Sequence, residues 1–174
     1  MLLTMTDLTA RQDPPFVAGE RTMLDAWLDY HRATLLLKCE GLDDTQIRTR
    51  AVPPSTLSLL GLVRHMREVE QQWFLNVLHG LDEPPAYYSE TNPDGEFDDV
   101  DGADVAADLA AYQAMLDRCR AAVSDLDLDT ICANPRGPDR ISLRWVYTHM
   151  LEEYARHNGH ADLLRECVDG VTGE

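Results

Sequence analysis

The sequence predicts an all-α fold, a four-helix bundle with one long crossover between its second and third helices. Three observations predict it. Apolar side chains recur at helical spacing in four separate stretches. Glycines stand just past three of those stretches, at Gly41, Gly80 and Gly170, where helices commonly stop. No alternating strand pattern competes.

Residues 1–19 are expected to form an extended N-terminal segment, since Asp13, Pro14 and Pro15 interrupt any periodicity, and residues 20–170 a single bundle domain. The first helix spans 20–40, with Leu24, Trp27, Leu28, Leu35 and Leu36 on one face. After Val52-Pro53-Pro54-Ser55, Thr56 or Ser58 can cap a second helix that runs to about His79. The stretch 81–102 carries Pro84, Pro85, Pro93, Gly95, Gly102 and many acids. A structureless link of that length is unusual inside a compact domain. It is long enough to carry the chain back along the bundle, which makes helices 2 and 3 parallel. The third helix covers roughly 103–124. A second loop, 125–140, contains Pro135, Gly137 and Pro138, and Ser142 then caps a fourth helix that reaches about Val168.

The chain has 174 residues, enough for one domain with a real core. Lysine and arginine total 15 against 31 acids, a formal charge of −16. That field repels phosphate backbones, so nucleic acid is not an expected partner. No stretch approaches the ~20 apolar residues of a membrane span, and the N-terminus does not read as a signal peptide, so a cytoplasmic location without membrane association is expected. Four cysteines, at 39, 119, 132 and 167, form no Cys-x-x-Cys pair and read as reduced, mostly buried thiols.

The informative segment is helix 4. At about 100° per residue, Leu143, Val146, Tyr147, Met150, Tyr154, Ala161, Leu164 and Val168 form one core-facing stripe. His157 lies inside it and Glu153 at its edge, with His149 and His160 beside Glu153. Burying an unpaired carboxylate is costly, so such a group is normally paired or bound to metal. At i and i+4, Glu153 and His157 can point at one common atom, as mixed oxygen and nitrogen ligands suited to zinc, nickel or iron. A hydrogen-bonded Glu–His pair in the core fits the same wheel. On helix 2, His65 flanks the stripe of Leu59, Leu62, Val63, Met66, Val69, Trp73 and Val77. It can complete a two-histidine, one-carboxylate set if helices 2 and 4 are neighbours. A flanking histidine is more often a surface residue, and Glu70 is an alternative carboxylate. Met66, Trp73, Met150 and Tyr154 are the expected pocket lining. Arg64 and Arg156 read as helix-surface cations, or as anion contacts near a rim. His-Glu-x-x-His, Glu-x-x-His, Gly-x-Ser-x-Gly and phosphate-binding glycine loops are all absent from the sequence.

Two runs carry a resemblance. Ser58-Leu59-Leu60-Gly61-Leu62-Val63-Arg64-His65-Met66, followed by Glu70-Gln71-Gln72-Trp73-Phe74, resembles helix 2 of the DinB/YfiT-like superfamily. Glu153-x-x-x-His157-Asn158-Gly159-His160-Ala161-Asp162-Leu163-Leu164-Arg165-Glu166 resembles its helix 4. The similarity spans roughly 20–170 and is strongest to a mycothiol-linked branch. Many members carry a metal-binding histidine triad. Here Glu153 stands where the first helix-4 histidine usually stands, the form seen in mycothiol-dependent maleylpyruvate isomerase. The resemblance implies a metal site at His65, Glu153 and His157, with His160, where many relatives carry glutamine, lining the pocket; His149 and Glu70 are read as neighbours of the site from their helix positions.

The leading expectation is a metal-dependent thiol S-transferase that uses mycothiol against a small electrophile, with zinc as the metal and nickel or iron as alternatives. The thiolate is the reactive form of a thiol, and a cation favours it. His149 and His160 could orient ligands or shuttle protons; each also fits a solvent-exposed helix position. A second reading is a non-catalytic metal-binding or stress-response protein. A third is a homodimer whose site serves only stability.

Overall fold

A computed structural model describes residues 11–134 and 140–173. Among them are six α-helices, one π-helical stretch and no strand. The elements are α1 (Glu20–Cys39), α2 (Asp44–Arg48), α3 (Leu59–Glu70) continued by a π-helical stretch (Gln71–Val77), α4 (Gly95–Asp98), α5 (Val105–Val123) and α6 (Leu143–Asp169). Extended pairing among the described residues is limited to two isolated bridges, Ser89 with Asn92 and Ile131 with Ser142. The all-α expectation therefore holds. The expected loop residues Pro135, Gly137 and Pro138 lie outside the described residues.

The chain divides into two compact units, Met1–Leu59 with Met150–Glu174, and Leu60–His149. In the first unit, α1 buries Leu28, Leu35, Leu36 and Cys39. Trp27, expected on that face, is instead 42% exposed. Its ring lies 5.6 Å from Tyr30 and 6.1 Å from His31, a cluster along the rim of the helix. Gly41 takes φ 77°, the left-handed turn that stops α1. The orphan carbonyls at that end are satisfied by Arg165, whose Nη1 donates to Lys38 O at 3.0 Å and Glu40 O at 2.8 Å. The short α2 did not stand out by periodicity. It is held by a capping box in which Asp43 accepts from Thr45 N and Gln46 N while Gln46 returns a bond to Asp43 N. Such a cap contributes about 1 kcal/mol; the Asp-x-x-Gln spelling was its available signal.

In the second unit, α3 buries Leu60, Leu62, Val63 and Met66 at 0% exposure. The expected helix continues to its Gly80 stop, φ 71°, but through the wider π turn. That stretch buries Gln71, Trp73, Phe74, Leu75 and Val77. Wider turns shift the later side chains off a regular wheel of about 3.6 residues per turn, and five of the seven residues of this stretch are buried. α5 starts at the Asp104 cap, whose side chain accepts from Ala107 N, and packs against the π stretch. Contacts between these helices advance in step: Arg64 meets Asp108, Glu70 O meets Cys119, and His79 meets Ala122 O. Ser142 Oγ accepts from Trp145 N at 3.3 Å, so it caps α6 as its position suggested.

The link after α3 is ordered by α3 itself. Glu68 Oε1 accepts from Ala86 N at 2.7 Å and Tyr87 N at 3.0 Å. Gln71 Nε2 donates to Glu83 O and Pro84 O. Arg64 Nη1 donates to Asp99 O at 2.9 Å. Arg118, 2.6 Å from Glu83, holds that carboxyl below the usual range. A stretch expected to be structureless thus contains α4 and a set of fixed turns, because backbone groups that do not pair with each other find side-chain partners.

Candidate metal centre

In the first unit the site is built on α6. Met150, Tyr154, Ala161 and Leu164 are buried, so the core-facing stripe is set as expected; Val168 is only half-buried. This phase brings Glu153 and His157 onto the flank of the stripe, half-buried, with Glu153 Oε2 3.5 Å from His157 Nε2. The other ring nitrogen, Nδ1, lies 3.4 Å from His160 Nδ1, and the two rings meet edge to face at 5.3 Å. His157 therefore stands between a carboxylate and a second imidazole. One nitrogen of the pair can accept only if the other carries a proton. Asn158 turns the other way, donating to His31 O at 3.0 Å and facing His31 Nδ1 at 3.2 Å. Burial lowers the pKa of His31, which favours the neutral ring that this contact requires. Arg156 is exposed and pairs with Glu152, as a helix-surface cation should.

In the second unit, His65 is half-buried on α3. Its Nδ1 lies 3.3 Å from Glu96 Oε1, and its ring lies 5.3 Å from that of Phe97. Glu96 comes from α4 in the link and is 6% exposed. Sequence reasoning missed it, because one acid among the many in 81–102 gives no spacing signal. Glu70, the alternative carboxylate, is fully buried, as is Met66. Trp73 packs against Trp145 at 5.2 Å and edge-on to His149 at 4.4 Å. His149 also stacks on Trp145 at 5.0 Å and 14°, so it sits between two indoles.

Arg64 departs from both sequence readings. It is neither a rim contact nor a surface cation. It is buried, with Nε 2.6 Å from Asp108 Oδ2 and its guanidinium 4.7 Å over the Tyr87 ring. Burial and the nearby Asp108 push the Tyr87 phenol up to about 12. A helix wheel could not show this, because both partners come from distant parts of the sequence.

Of the expected cysteines, Cys39, Cys119 and Cys132 are buried and Cys167 is exposed, all as free thiols. No helix among the described residues is long and apolar enough to cross a membrane.

Residues 23–170 match the model of a family described as mycothiol-S-transferase. No curated protein and no solved structure matches the chain.

Proposed function

The chain belongs to the mycothiol-S-transferase family, and from that premise we propose that it joins mycothiol, through its thiol sulfur, to a small electrophile, using one divalent ion held by His65, Glu153 and His157. The family match, which covers most of the chain, is the observation that carries the transferase reading. We also infer that residues 20–170 form one four-helix bundle of DinB type with α3 and α5 parallel. The stepwise contacts of Arg64 with Asp108, Glu70 with Cys119 and His79 with Ala122 support that orientation.

The donor chemistry supports the metal. Each of the three residues is half-buried and offers one ligand atom. Two imidazoles and a carboxylate suit zinc, with nickel and iron as the other candidates. Three protein ligands leave a position for a further group, as catalytic rather than structural zinc sites do. A bound divalent cation would lower the pKa of a thiol sulfur and so supply the reactive thiolate at neutral pH.

The remaining work falls to the chain. Glu153 and His157, one turn apart, fix two donors on a rigid helix. His160, beside His157 Nδ1, can hold the proton that leaves the thiol. Met66, Trp73, Met150 and Tyr154 are apolar or amphipathic and buried, suited to an apolar electrophile beside a polar thiol. In the transfer, the thiol proton of mycothiol passes to a base and the sulfur bonds to an electrophilic carbon, while that carbon either expels its leaving group or, at a polarised double bond, gives up the π bond and its neighbour takes the proton.

Cobalt substitution tests this directly. Adding mycothiol to the cobalt protein should produce a sulfur-to-cobalt charge-transfer band, absent in His65→Ala. If the spectrum stays unchanged while cobalt remains bound, the transferase reading yields to a metal-binding protein without turnover.

A further inference from the structure

We propose that Glu96 is the positioning residue for His65: it holds the imidazole proton on Nδ1 and thereby presents Nε2 as the metal-binding atom. The proposal rests on the metal reading above, and it concerns a residue outside the expected ligand set.

The first argument is the cost of Glu96 where it stands. The residue is 6% exposed, and its Oε2 is buried with no hydrogen-bond partner among the described residues. Oε1 faces His65 Nδ1 at 3.3 Å. An unsatisfied buried carboxylate oxygen costs on the order of a few kcal/mol. Among the described residues, the nearby arginines Arg64, Arg67 and Arg118 pair with other acids. A buried polar group retained without full satisfaction calls for an explanation, and the imidazole beside it is the available one.

The second argument is that α3 both carries the imidazole and clamps the carboxylate. Arg64, one residue before His65, donates to Asp99 O. Glu68, one turn after His65, holds the backbone of Ala86 and Tyr87. The Tyr87 carbonyl in turn closes over Gly95: a Cβ placed there would lie 2.2 Å from Tyr87 O and 2.8 Å from Asn92 Nδ2. Only glycine allows that approach, and Glu96 is the next residue. The Asn92 side chain also donates to Asp99 Oδ2 at 2.7 Å, bracketing α4 from both ends. Phe97 then covers the His65 ring. The crossover is thus folded back onto the helix that bears His65, with one acid aimed at one ring nitrogen.

The chemistry follows from the donor inventory. A carboxylate only accepts, so a neutral ring that bonds to it must carry its proton on Nδ1. Its lone pair is then on Nε2. Histidines that bind metals are normally fixed through the second nitrogen in this way, and removing such a partner typically weakens metal binding about 10–100-fold.

The test uses the full chain with two readouts. Histidine nitrogen NMR of the metal-free protein, recorded well above the ordinary imidazole pKa, should show His65 protonated on Nδ1. In Glu96→Ala that preference should be lost, and zinc affinity measured by chelator competition should fall about 10–100-fold. Glu96→Gln keeps an acceptor of the same shape but makes a poor metal ligand, so it should restore the tautomer and most of the affinity. Three results overturn the proposal: a wild-type His65 protonated on Nε2, zinc affinity in Glu96→Ala unchanged within about twofold, or Glu96→Gln as weak as Glu96→Ala. The last would make Glu96 a direct ligand. If the wild type binds no metal at all, the metal reading fails, and the tautomer measurement alone still decides the role of Glu96.

Discussion

Glu153 Oε2 lies 3.5 Å from His157 Nε2, one turn along α6, with both side chains half-buried. The separation is beyond a good hydrogen bond yet small enough for both atoms to face one point. A charged pair that served only the core should close to about 2.7–2.9 Å. His157→Ala should therefore reduce bound divalent metal from about one per chain to near zero. Circular dichroism should show the helices intact, because the ring is not part of the fully buried stripe. Full metal occupancy in that variant, measured by elemental analysis of untagged protein, would refute the ligand assignment.

Arg64 and Asp108 form a second pair, at 2.6 Å with side-chain exposures of 9% and 10%. Removing one member of such a pair leaves an uncompensated buried charge, which typically costs about 3–5 kcal/mol. Arg64→Ala also frees the Asp99 carbonyl. Urea unfolding should place this variant at the large end of that range. Arg64→Met with Asp108→Leu should recover much of the loss. An Arg64→Ala protein within about 0.5 kcal/mol of wild type would show that the pair is not structural.

The cysteines give a prediction on access. Cys167 is exposed and the other three are buried. An Ellman-type reagent should titrate one thiol rapidly in the native protein and all four in denaturant. Rapid native reaction of more than one thiol would mean that the packing around Cys39, Cys119 or Cys132 opens readily.

Cys39 also predicts alkaline behaviour. Burial pushes its thiol from the ordinary 9.0 up to about 12. The native state therefore keeps this proton at pH values where the unfolded chain has lost it. Its contribution to stability is complete below about pH 9 and declines as pH rises toward 12. Stability measured by denaturant should fall with pH in that window, and Cys39→Ala should show a shallower slope. An equal slope in both proteins would assign the alkaline loss to other groups.

The helices were legible because their signals are local. Gly41, Gly80 and Gly170 all take the positive φ that a stop needs, and Ser142 caps α6 from its own neighbourhood. The Glu153–His157 pair was legible for the same reason: i and i+4 on one helix are neighbours whatever else the chain does. Trp27 was misjudged because periodicity names a face without saying how far its burial extends. The π turn at Gln71–Val77 was invisible, since no residue type demands the wider winding.

By itself, then, the sequence determined the helical class, the principal helix boundaries, the surplus of negative charge and the carboxylate and imidazole placed one turn apart on α6. Each of these depends on residues within a few positions of one another, or on composition. Only the tertiary structure decided that Arg64 is buried against Asp108 and Tyr87, that the acidic link is clamped by Arg64, Glu68 and Gln71, and that Glu96 meets His65. Those contacts join residues up to 44 positions apart. Which acid of many pairs with which cation or ring depends on where the backbone returns, and that is fixed by burial of the whole unit rather than by any local spacing.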